Sequence, residues 1–369
     1  MRNPRFVSVS LSLLLMPFTG QAATNTLQRF NLPDKPDKPR FELHDRDWPA
    51  TNGCASVCLW KDDAFAAFSM TVDDNCAMDV PWWLEQSKVL KLPITWFLVS
   101  GGIDDPKAYK GMTGTWALWK SVVDLGNAVE SHTVTHWGGF KPDGTPPEGW
   151  KGIEWEYSDS IKQIDAGISG YKVYCMAYPG GPGQKLHDRN LAARDYLACR
   201  TANGINPANQ IDYPYVCYTA LADLDNLFDP KHKFYRGWAV ILSHYVGNEK
   251  FKTDIVQYLD YFKGHASDLW GGLFRDVARY GQERDTAHLE VRQAPPNKII
   301  LSLTDEMDDR FYDFPLTVKI RLDPSWKAMK ATQRSESIEG KLVEHAGATY
   351  ALVQIVPDRG EVTLEKAPK

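Results

Sequence analysis

From residue 64 onward, short apolar runs alternate with amphipathic segments, and this alternation restricts the fold more than any other feature of the chain. Apolar runs of this length are typical of buried strands, and amphipathic segments between them are typical of helices. Continuous apolar strands joined by helices indicate a parallel sheet covered on both faces. With six such strands, a distorted parallel (β/α) barrel is favoured over an open sheet. The predicted strands are residues 64–72, 94–99, 128–130, 172–177, 197–201 and 239–243, and the predicted helices are residues 80–90, 115–125, 154–168, 188–196 and 254–264.

After Pro295 the pattern changes to strand-like runs separated by turn residues, with no long helical segment between them. These runs predict a small antiparallel, sandwich-like β domain. Carbohydrate binding, contact with a partner subunit and simple capping of the barrel are all compatible with its residues. The five predicted strands are residues 298–303, 316–322, 340–345, 348–356 and 361–364. The whole chain is thereby divided into a signal peptide (1–22), an extended lead-in (23–50), a barrel (51–294) and a small β domain (295–369).

The N-terminus has the features of a secretory signal peptide. Arg2 and Arg5 precede an apolar segment, residues 6–18. Gly20 and Ala22 then supply the small residues expected on the N-terminal side of a cut after Ala22. The apolar segment is too short to anchor the protein in a bilayer. We therefore expect a protein exported to the periplasm or the cell exterior, whose mature form has no membrane anchor.

Export makes the six cysteines candidates for disulfide bonds. Six thiols allow fifteen pairings, and their spacing does not select one. Cys175 and Cys199 each lie in a predicted strand of consecutive βα units, which favours that pair. Cys54 and Cys58 are spaced as Cys-x₃-Cys, but a zinc site there would lack a second pair of ligands nearby.

The charge pattern argues against a nucleic-acid-binding protein. The chain has 42 basic and 47 acidic residues, a net charge of −5, and no basic run. Its charged and hydrophobic fractions, 24% and 43%, are those of a globular protein, so a packed core is expected.

Two predicted strands end in residues that could bind a metal ion. Asp73 and Asp74 follow the strongest strand candidate, and His132 and His136 follow a shorter one. The carboxyl ends of parallel strands meet at one rim of a barrel, so these side chains are expected to lie close together. The spacing of the histidines corresponds to one helical turn, which lets both imidazoles face one ion. One carboxylate and two imidazoles make a three-ligand site with an open position, as in hydrolytic metal enzymes.

Each pair also has an ordinary interpretation. The sequence contains four Asp-Asp pairs, and carboxylates at a strand end often serve as caps or turn residues. Two histidines near the end of a strand can be structural. The position of both pairs directly after strands is what favours a shared site.

Two later predicted strands also end in residues that could take part in a functional site. Tyr178, Pro179 and Gly180 form a turn whose backbone N–H groups could approach a ligand closely. His244 follows an apolar strand that includes Leu242. The turn could also be an ordinary connection between elements, and His244 could be a structural histidine. Four strand ends carrying Asp-Asp, His-x₃-His, Pro-Gly-Gly and His in this order are far less expected by chance than any one of them.

In this order the motifs resemble those of the polysaccharide deacetylases, carbohydrate esterase family 4. The family's Thr-Phe-Asp-Asp motif resembles Thr71-Val72-Asp73-Asp74, and its His-Ser/Thr-x-x-His motif matches residues 132–136 at each fixed position. Its Leu-x-His motif matches Leu242-Ser243-His244. The resemblance extends over residues 64–290, and residues 270–284 are similar to the last helix of some bacterial members.

The chain departs from the family in two motifs. The third motif, Arg-x-Pro-x-Gly, falls on residues 177–181, where Ala177 replaces the arginine. In the family this arginine orients the aspartate that acts as the base, so the resemblance leaves open what orients Asp73. Trp238 is the candidate for the tryptophan of the family's Asp/Trp motif, and no residue of this chain is matched to its aspartate.

The resemblance implies a role for each motif residue. Asp74, His132 and His136 would hold one divalent metal ion, by preference Zn²⁺, although Co²⁺, Ni²⁺ and Fe²⁺ suit the same ligands. Asp73 would be the general base and His244 the general acid. The backbone N–H of Gly180 would bind the oxyanion. Further substrate contacts would come from Tyr178, Pro179, Leu242, Trp137 and Trp238.

Together these features predict a metal-dependent hydrolase that removes acetyl groups from an acetylated carbohydrate by N- or O-deacetylation. Trp137, directly after His136, could stack on a sugar ring, and the loop 137–150 is the candidate for substrate specificity. Two alternatives stay open: a hydrolase of a small non-carbohydrate amide, and a non-catalytic glycan-binding protein on a deacetylase scaffold. Metal content and acetate release distinguish the catalytic from the non-catalytic protein.

Overall fold

The structure, a computed structural model, describes residues 29, 30, 32, 35–108, 112–247 and 249–367. The expected signal peptide, residues 1–22, lies outside these described residues and stays a prediction. In the part of the chain that is described, no helix combines the length and the apolar character that crossing a membrane requires. The helices are α1 (Val80–Leu90), α2 (Trp116–Asp124), α3 (Ile153–Gly167), α4 (Arg189–Asp195), α5 (Glu249–Gly264) and α6 (Phe274–Thr286). The strands are β1 (Ala55–Val57), β2 (Ala66–Val72), β3 (Ile94–Leu98), β4 (Ala128–Ser131), β5 (Cys175–Ala177), β6 (Ala198–Asn203), β7 (Val216–Tyr218), β8 (Trp238–Ser243), β9 (Leu269–Gly271), β10 (His288–Gln293), β11 (Lys298–Thr304), β12 (Leu316–Arg321), β13 (Met329–Gln333), β14 (Glu336–Ser337), β15 (Gly340–His345), β16 (Ala348–Ile355) and β17 (Val362–Lys366).

The parallel strands β2 to β8 build the expected distorted barrel. Their order in the sheet is β7-β6-β5-β4-β3-β2-β8, and β9 pairs in parallel with the start of β2. All seven residues of β2 are buried, because helices cover its outer face and the barrel interior covers the other. Each predicted strand and helix of this region overlaps an observed one. The three-residue strands β7 and β9 were not predicted from the sequence.

The two ends of this sheet, β7 and β8, are bridged by a few hydrogen bonds. The backbone N–H of Thr219 donates to the carbonyl of Val240 (2.7 Å), and the Thr219 hydroxyl accepts from the N–H of Val240 (3.3 Å). The Nδ2 amide of Asn206 donates to the carbonyls of Cys217 and Trp238, at 2.9 Å each. These bonds satisfy backbone groups that an open sheet edge would leave unpaired, so the sheet nearly closes on itself.

A β domain of two sheets packs against the barrel, as the C-terminal pattern predicts. One sheet has the order β1-β12-β16-β15 and the other β10-β11-β17-β13-β14. The strands β1 and β10 precede residue 295, so segments on both sides of the barrel contribute to this domain. One apolar cluster runs from Phe97 and Trp238 in the barrel interior to Leu316 and Val353 in the domain. The barrel and the β domain therefore share a core.

The described part of residues 23–50 contains no helix or strand, and it is packed against both the barrel and the β domain. The backbone N–H of Arg40 donates to the carbonyl of Asn209 (2.9 Å), and its guanidinium lies 3.5 Å from the carboxylate of Asp285. Further along, the indole of Trp48 stacks on the ring of His345 with 3.9 Å between centroids. The lead-in thus connects the barrel to the β domain.

All six cysteines are free thiols, so the expected disulfide bonds are wrong. In the register of β5 and β6, Cys175 pairs with Ala198, whereas Cys199 pairs with Met176. Cys175 belongs to the apolar cluster of the barrel interior and Cys199 to the cluster between sheet and helices. Their side chains therefore point to opposite faces of the sheet. Burial raises the pKa of both thiols, which makes them inert apolar side chains.

Glu283 on α6 makes the stability of the fold depend on pH. Its side chain is fully buried, and one oxygen accepts the N–H of Phe314 (3.0 Å) while the other has no donor among the described residues. Burial raises the pKa of Glu283 from 4.5 to about 9. Between these values the unfolded chain releases a proton that the folded protein keeps, so stability falls as the pH rises through this window.

We expect Glu283→Gln to stabilise the protein by up to about 5 kcal/mol at pH 8, at about 1.4 kcal/mol per pH unit above 4.5, and by under about 1 kcal/mol at pH 5. The amide keeps the acceptor for Phe314 but does not ionise in the unfolded chain. Urea unfolding at both pH values measures the difference, with Glu85→Gln on the exposed side of α1 as the control. A gain of the same size at both pH values would contradict the prediction.

Candidate functional site

Four ionisable side chains occupy inward-facing positions at the carboxyl ends of barrel strands. Alternate residues of β2 face the barrel interior, and Asp73 continues this series one step past the strand. The same alternation places His132 after β4, Arg200 within β6 and His244 after β8. Because the strands are parallel, these ends meet at one rim of the barrel.

A left-handed turn after β2 brings Asp74 to the same rim. Asp74, Asn75 and Cys76 have φ angles of 59°, 61° and 48°, a strained conformation that persists only where the surroundings hold it. The buried Asn75 side chain supplies this support. Its oxygen accepts the N–H of Val99 (2.8 Å), and its amide donates to the carbonyl of Thr113 (3.1 Å). The turn is thereby anchored to the chain that follows β3.

His132 and His136 lie on a loop, and the helical turn inferred from their spacing is wrong. Residues 133 and 136 have positive φ angles of 67° and 46°, which a right-handed helix does not contain. The buried carboxylate of Glu156 on α3 holds this loop, since it accepts the backbone N–H groups of Val134 and Thr135, both at 2.9 Å. The loop curls so that both imidazoles still reach Asp74.

Asp74, His132 and His136 are the one group of three metal-binding side chains found in the described ranges, with ligand atoms within 4.8 Å of one another. The Oδ1 atom of Asp74 lies 3.6 Å from Nε2 of His132 and 3.3 Å from Nε2 of His136. Ligand atoms around a tetrahedral Zn²⁺ with bonds of about 2.0–2.2 Å are roughly 3.3 Å apart. The three residues therefore fit a single ion of this kind.

The buried ring of His132 is held with Nε2 towards Asp74. Its Nδ1 donates to the carbonyl of Ala177 (2.8 Å), which leaves Nε2 facing Asp74. A hydrogen bond of this kind fixes both the tautomer and the angle of the ring. Burial lowers the pKa of His132 to about 4, so the ring is neutral at the pH values where an unprotonated ligand is needed.

Asp73 is an ionised carboxylate held by an arginine. It is 3% exposed, and its Oδ2 accepts a hydrogen bond from Nη2 of the buried Arg200. Burial by itself raises the pKa of a carboxyl group, but Arg200, followed by His132 and His244, outweighs burial and holds the pKa of Asp73 below its ordinary value. The other oxygen, Oδ1, has no donor among the described residues. One oxygen of Asp73 is therefore fixed by Arg200, and the other is buried without a donor.

Arg200 supplies the guanidinium that is absent at Ala177. The two residues are direct partners in the β5–β6 pairing, and both face the barrel interior. The guanidinium crosses to Asp73 over the ring of Phe97, 5.3 Å from its centroid. The sequence motifs did not identify Arg200, because the family's third motif places its arginine at position 177. One feature of the sequence could have identified it: Arg200 is a charged residue inside the predicted buried strand 197–201, and a buried charge needs a partner of opposite charge.

His244 faces the same two carboxylates. Its Nε2 lies 4.0 Å from Oδ2 of Asp73 and 3.8 Å from Oδ2 of Asp74. Its side chain is 52% exposed, so a substrate can reach it. The carboxylate of Asp79 accepts the N–H of Val246 (2.8 Å), which ties the loop after β8 to the loop after β2.

The turn after β5 presents an exposed backbone N–H at Gly180. Tyr178 is buried, and its hydroxyl donates to the carbonyl of Pro214 (3.1 Å), so this side chain supports the turn. Pro179 is also buried, whereas Gly180 is exposed, and the N–H of Gly180 has no acceptor among the described residues. The Gly180 N–H is therefore available to a ligand.

The two tryptophans expected near the substrate are both buried. Trp137 is 3% exposed, and its indole packs on Gly183, where an added Cβ would lie 2.3 Å from the ring. Trp238 donates to Oγ of Ser69 (3.0 Å) at the start of β8, about 16 Å along the strand from the His244 end. Neither ring has an open face for a sugar. Leu242, by contrast, lies next to the His244 end of β8 and is half-buried.

No protein-family model matches the chain. A curated relative, named gellan lyase, from a Bacillus species is 33% identical over 361 residues. The match covers 88% of this chain and 14% of that protein. The chain thus spans about one seventh of the length of the curated relative it matches.

Three solved structures illustrate the structural matches. IcaB from Ammonifex degensii has 18% identity and a TM-score of 0.32, and the match covers 42% of this chain and 68% of that chain. The peptidoglycan N-acetylglucosamine deacetylase Bc1960 has 14% identity and a TM-score of 0.35, covering 57% and 87%. A CE4 family pseudoenzyme from Bacillus anthracis has 15% identity and a TM-score of 0.33, covering 57% and 65%. At these values the likenesses carry no argument about activity, and the four motifs remain the basis of the resemblance to the polysaccharide deacetylases.

Proposed function

We propose that this chain is a metal-dependent hydrolase of the polysaccharide deacetylase family that removes acetyl groups from an acetylated carbohydrate outside the cytoplasm. The observation that carries the proposal is one barrel rim that combines a three-ligand metal site, an arginine-held carboxylate and an exposed histidine. Acyl hydrolysis uses a Lewis acid, a base and an acid. An ion at the three-ligand site would be the Lewis acid, the carboxylate can act as the base, and the histidine can act as the acid. The 33% identical relative is named for an activity on gellan, which supports a carbohydrate substrate.

In the proposed reaction, Asp73 is the base. A divalent ion held by Asp74, His132 and His136 would lower the pKa of a water molecule and polarise the acyl carbonyl. Asp73 takes the proton of the attacking water, while Arg200 holds Oδ2 and keeps the carboxylate ionised. Arg200 thereby orients the base without touching the substrate.

His244 is the acid of the proposed reaction. It donates a proton to the leaving amine or alcohol, for which its exposed ring leaves room. The N–H of Gly180 donates to the oxygen that gains charge in the transition state. Asp73 is buried beside Arg200, whereas His244 is open to solvent. Different surroundings of this kind allow one group to act as the base and the other as the acid.

An apolar cavity beside His244 supports a sugar as the leaving group. Tyr245 and Phe251 are 36% and 51% exposed, and with Leu242 and Ile255 they line a cavity of about 310 Å³ that includes His244. Aromatic rings provide a broad apolar surface on which the face of a sugar ring can pack.

We expect Phe251→Ala to raise KM for acetylated xylan about three- to tenfold, because the loss of one aromatic contact weakens sugar binding. Turnover of 4-nitrophenyl acetate, which carries no sugar, should be unchanged. Steady-state kinetics on both substrates measure the split, and Leu125→Ala at the exposed end of α2 is the control. Equal losses on the two substrates would contradict a sugar contact.

The two alternative functions are weaker on different grounds. A small-amide hydrolase would use the same rim but has no need for the aromatic cavity beside His244. The absence of the motif arginine at Ala177 is the feature that would favour a non-catalytic glycan-binding protein. That reason disappears because a guanidinium reaches Asp73 from Arg200.

Acetate release from a panel of N- and O-acetylated glycans, with and without chelator, tests the proposal. We expect release that chelator abolishes and that added Zn²⁺ or Co²⁺ restores. Glycan binding without acetate release would favour the non-catalytic protein. Turnover confined to small acetamides would favour the small-amide hydrolase.

A further inference from the structure

The carbonyl oxygen of Pro179 accepts hydrogen bonds from two rings. Nε2 of His187 lies at 2.8 Å and Nε1 of Trp137 at 3.4 Å. The two rings also contact each other, with 5.1 Å between centroids. The sequence motifs did not single out His187, and the proposed reaction assigns it no role.

The ring of His187 is held in one tautomer. A carbonyl oxygen only accepts, so Nε2 must carry the hydrogen and Nδ1 must accept from the hydroxyl of Tyr157 (3.0 Å). The backbone N–H of Asp188 in turn donates to the Tyr157 oxygen (3.4 Å). Burial lowers the pKa of His187, which keeps the ring neutral. His187 is thus a fixed donor to Pro179.

A fixed Pro179 carbonyl determines the direction of the next N–H. In a trans peptide the C=O of one residue and the N–H of the next point in opposite directions, and the described chain has no cis peptide. The Gly180 N–H therefore points away from the two rings, towards the exposed side of the turn. Close packing of the Trp137 indole on Gly183 holds the same turn from behind.

We propose that His187, assisted by Trp137, is a positioning residue that aims the Gly180 N–H at the oxygen that gains charge during hydrolysis. This inference rests on the proposed function. An oxyanion donor acts only if its direction is set before the charge develops, because reorientation during the reaction costs the energy the donor would supply. Without the bond to His187, the Pro179 carbonyl keeps only the longer bond from Trp137, and the peptide between Pro179 and Gly180 is held less firmly.

Two substitutions at one position separate the hydrogen bond from packing. His187→Phe keeps an aromatic ring against Trp137 and Tyr178 but has no donor, whereas His187→Gln places an amide donor near the position of Nε2. With the zinc-loaded protein and 4-nitrophenyl acetate, we expect His187→Phe to lower kcat at least about tenfold, with KM within about twofold and zinc content unchanged. His187→Gln should regain most of the lost kcat.

Wild-type kcat in the Phe variant, or a Gln variant as impaired as the Phe variant, overturns the proposal. A crystal structure of His187→Phe gives a readout that needs no turnover: a rotated Pro179 carbonyl supports the proposal, and an unchanged one overturns it. Failure of the proposed function would appear differently, as a wild-type protein that releases no acetate from any substrate.

Discussion

Asp73→Asn is expected to retain bound metal and to lower kcat about 10²–10⁴-fold, the usual contribution of a general base. Asparagine keeps the size of the side chain and can still accept the hydrogen bond from Arg200, but its amide does not take a proton from water. The three proposed metal ligands, Asp74, His132 and His136, are unchanged in this variant. Metal analysis of the purified protein and acetate release from acetylated xylan measure the two properties separately.

His132→Ala is the matched comparison, because it removes a metal ligand instead of the base. We expect this variant to lose both bound metal and turnover. Full activity in Asp73→Asn would show that the base assignment is wrong. Loss of metal from Asp73→Asn would instead place Asp73 among the ligands.

Arg200→Met is expected to lower kcat about 10²-fold and to move the acidic limb of the pH–rate profile to higher pH. Without the guanidinium, burial becomes the main influence, so the pKa of Asp73 rises and a higher pH is needed to ionise the base. Methionine keeps the apolar stem that packs over Phe97. Removing one partner of a buried pair also destabilises a fold by about 3–5 kcal/mol, so unfolding is measured alongside.

Moving the arginine from position 200 to position 177 tests whether Asp73 needs a guanidinium from one particular strand or only a guanidinium nearby. Ala177 and Arg200 are direct partners in neighbouring strands, so an arginine at position 177 can reach the same carboxylate. We expect the double variant Ala177→Arg with Arg200→Met to regain at least about tenfold of the lost kcat and to return the acidic limb towards its original pH. Ala177→Arg alone serves as the control and should not exceed the wild-type rate. A folded double variant no more active than Arg200→Met would show that the two positions are not equivalent.

Local pattern was sufficient for most of the barrel. Each of the six predicted strands and five predicted helices overlaps an observed element, because periodicity and apolar content are properties of a short window. Strands β7 and β9, of three residues each, were not predicted. Their existence depends on the sheet that they extend.

The direction of individual side chains was not predictable in the same way. Cys175 and Cys199 lie in adjacent strands but face opposite sides, because a shift of one residue in register reverses the face. Trp137 follows a metal-ligand candidate in sequence, yet its ring turns back onto Gly183. Trp238 lies in the same strand as Leu242 but at the opposite end of the barrel from His244.

The sequence by itself determined that apolar strands alternate with helices and that four of these strands end in a carboxylate pair, two histidines, a glycine turn and a histidine. Only the tertiary structure decided which groups meet, above all that Arg200 and not residue 177 orients Asp73, and that His187 holds the turn before Gly180. The physical reason is that the apolar pattern of a strand or helix depends on neighbouring residues in the sequence. The hydrogen-bond partner of a buried carboxylate or carbonyl depends instead on which donors the register and closure of the barrel bring close to it.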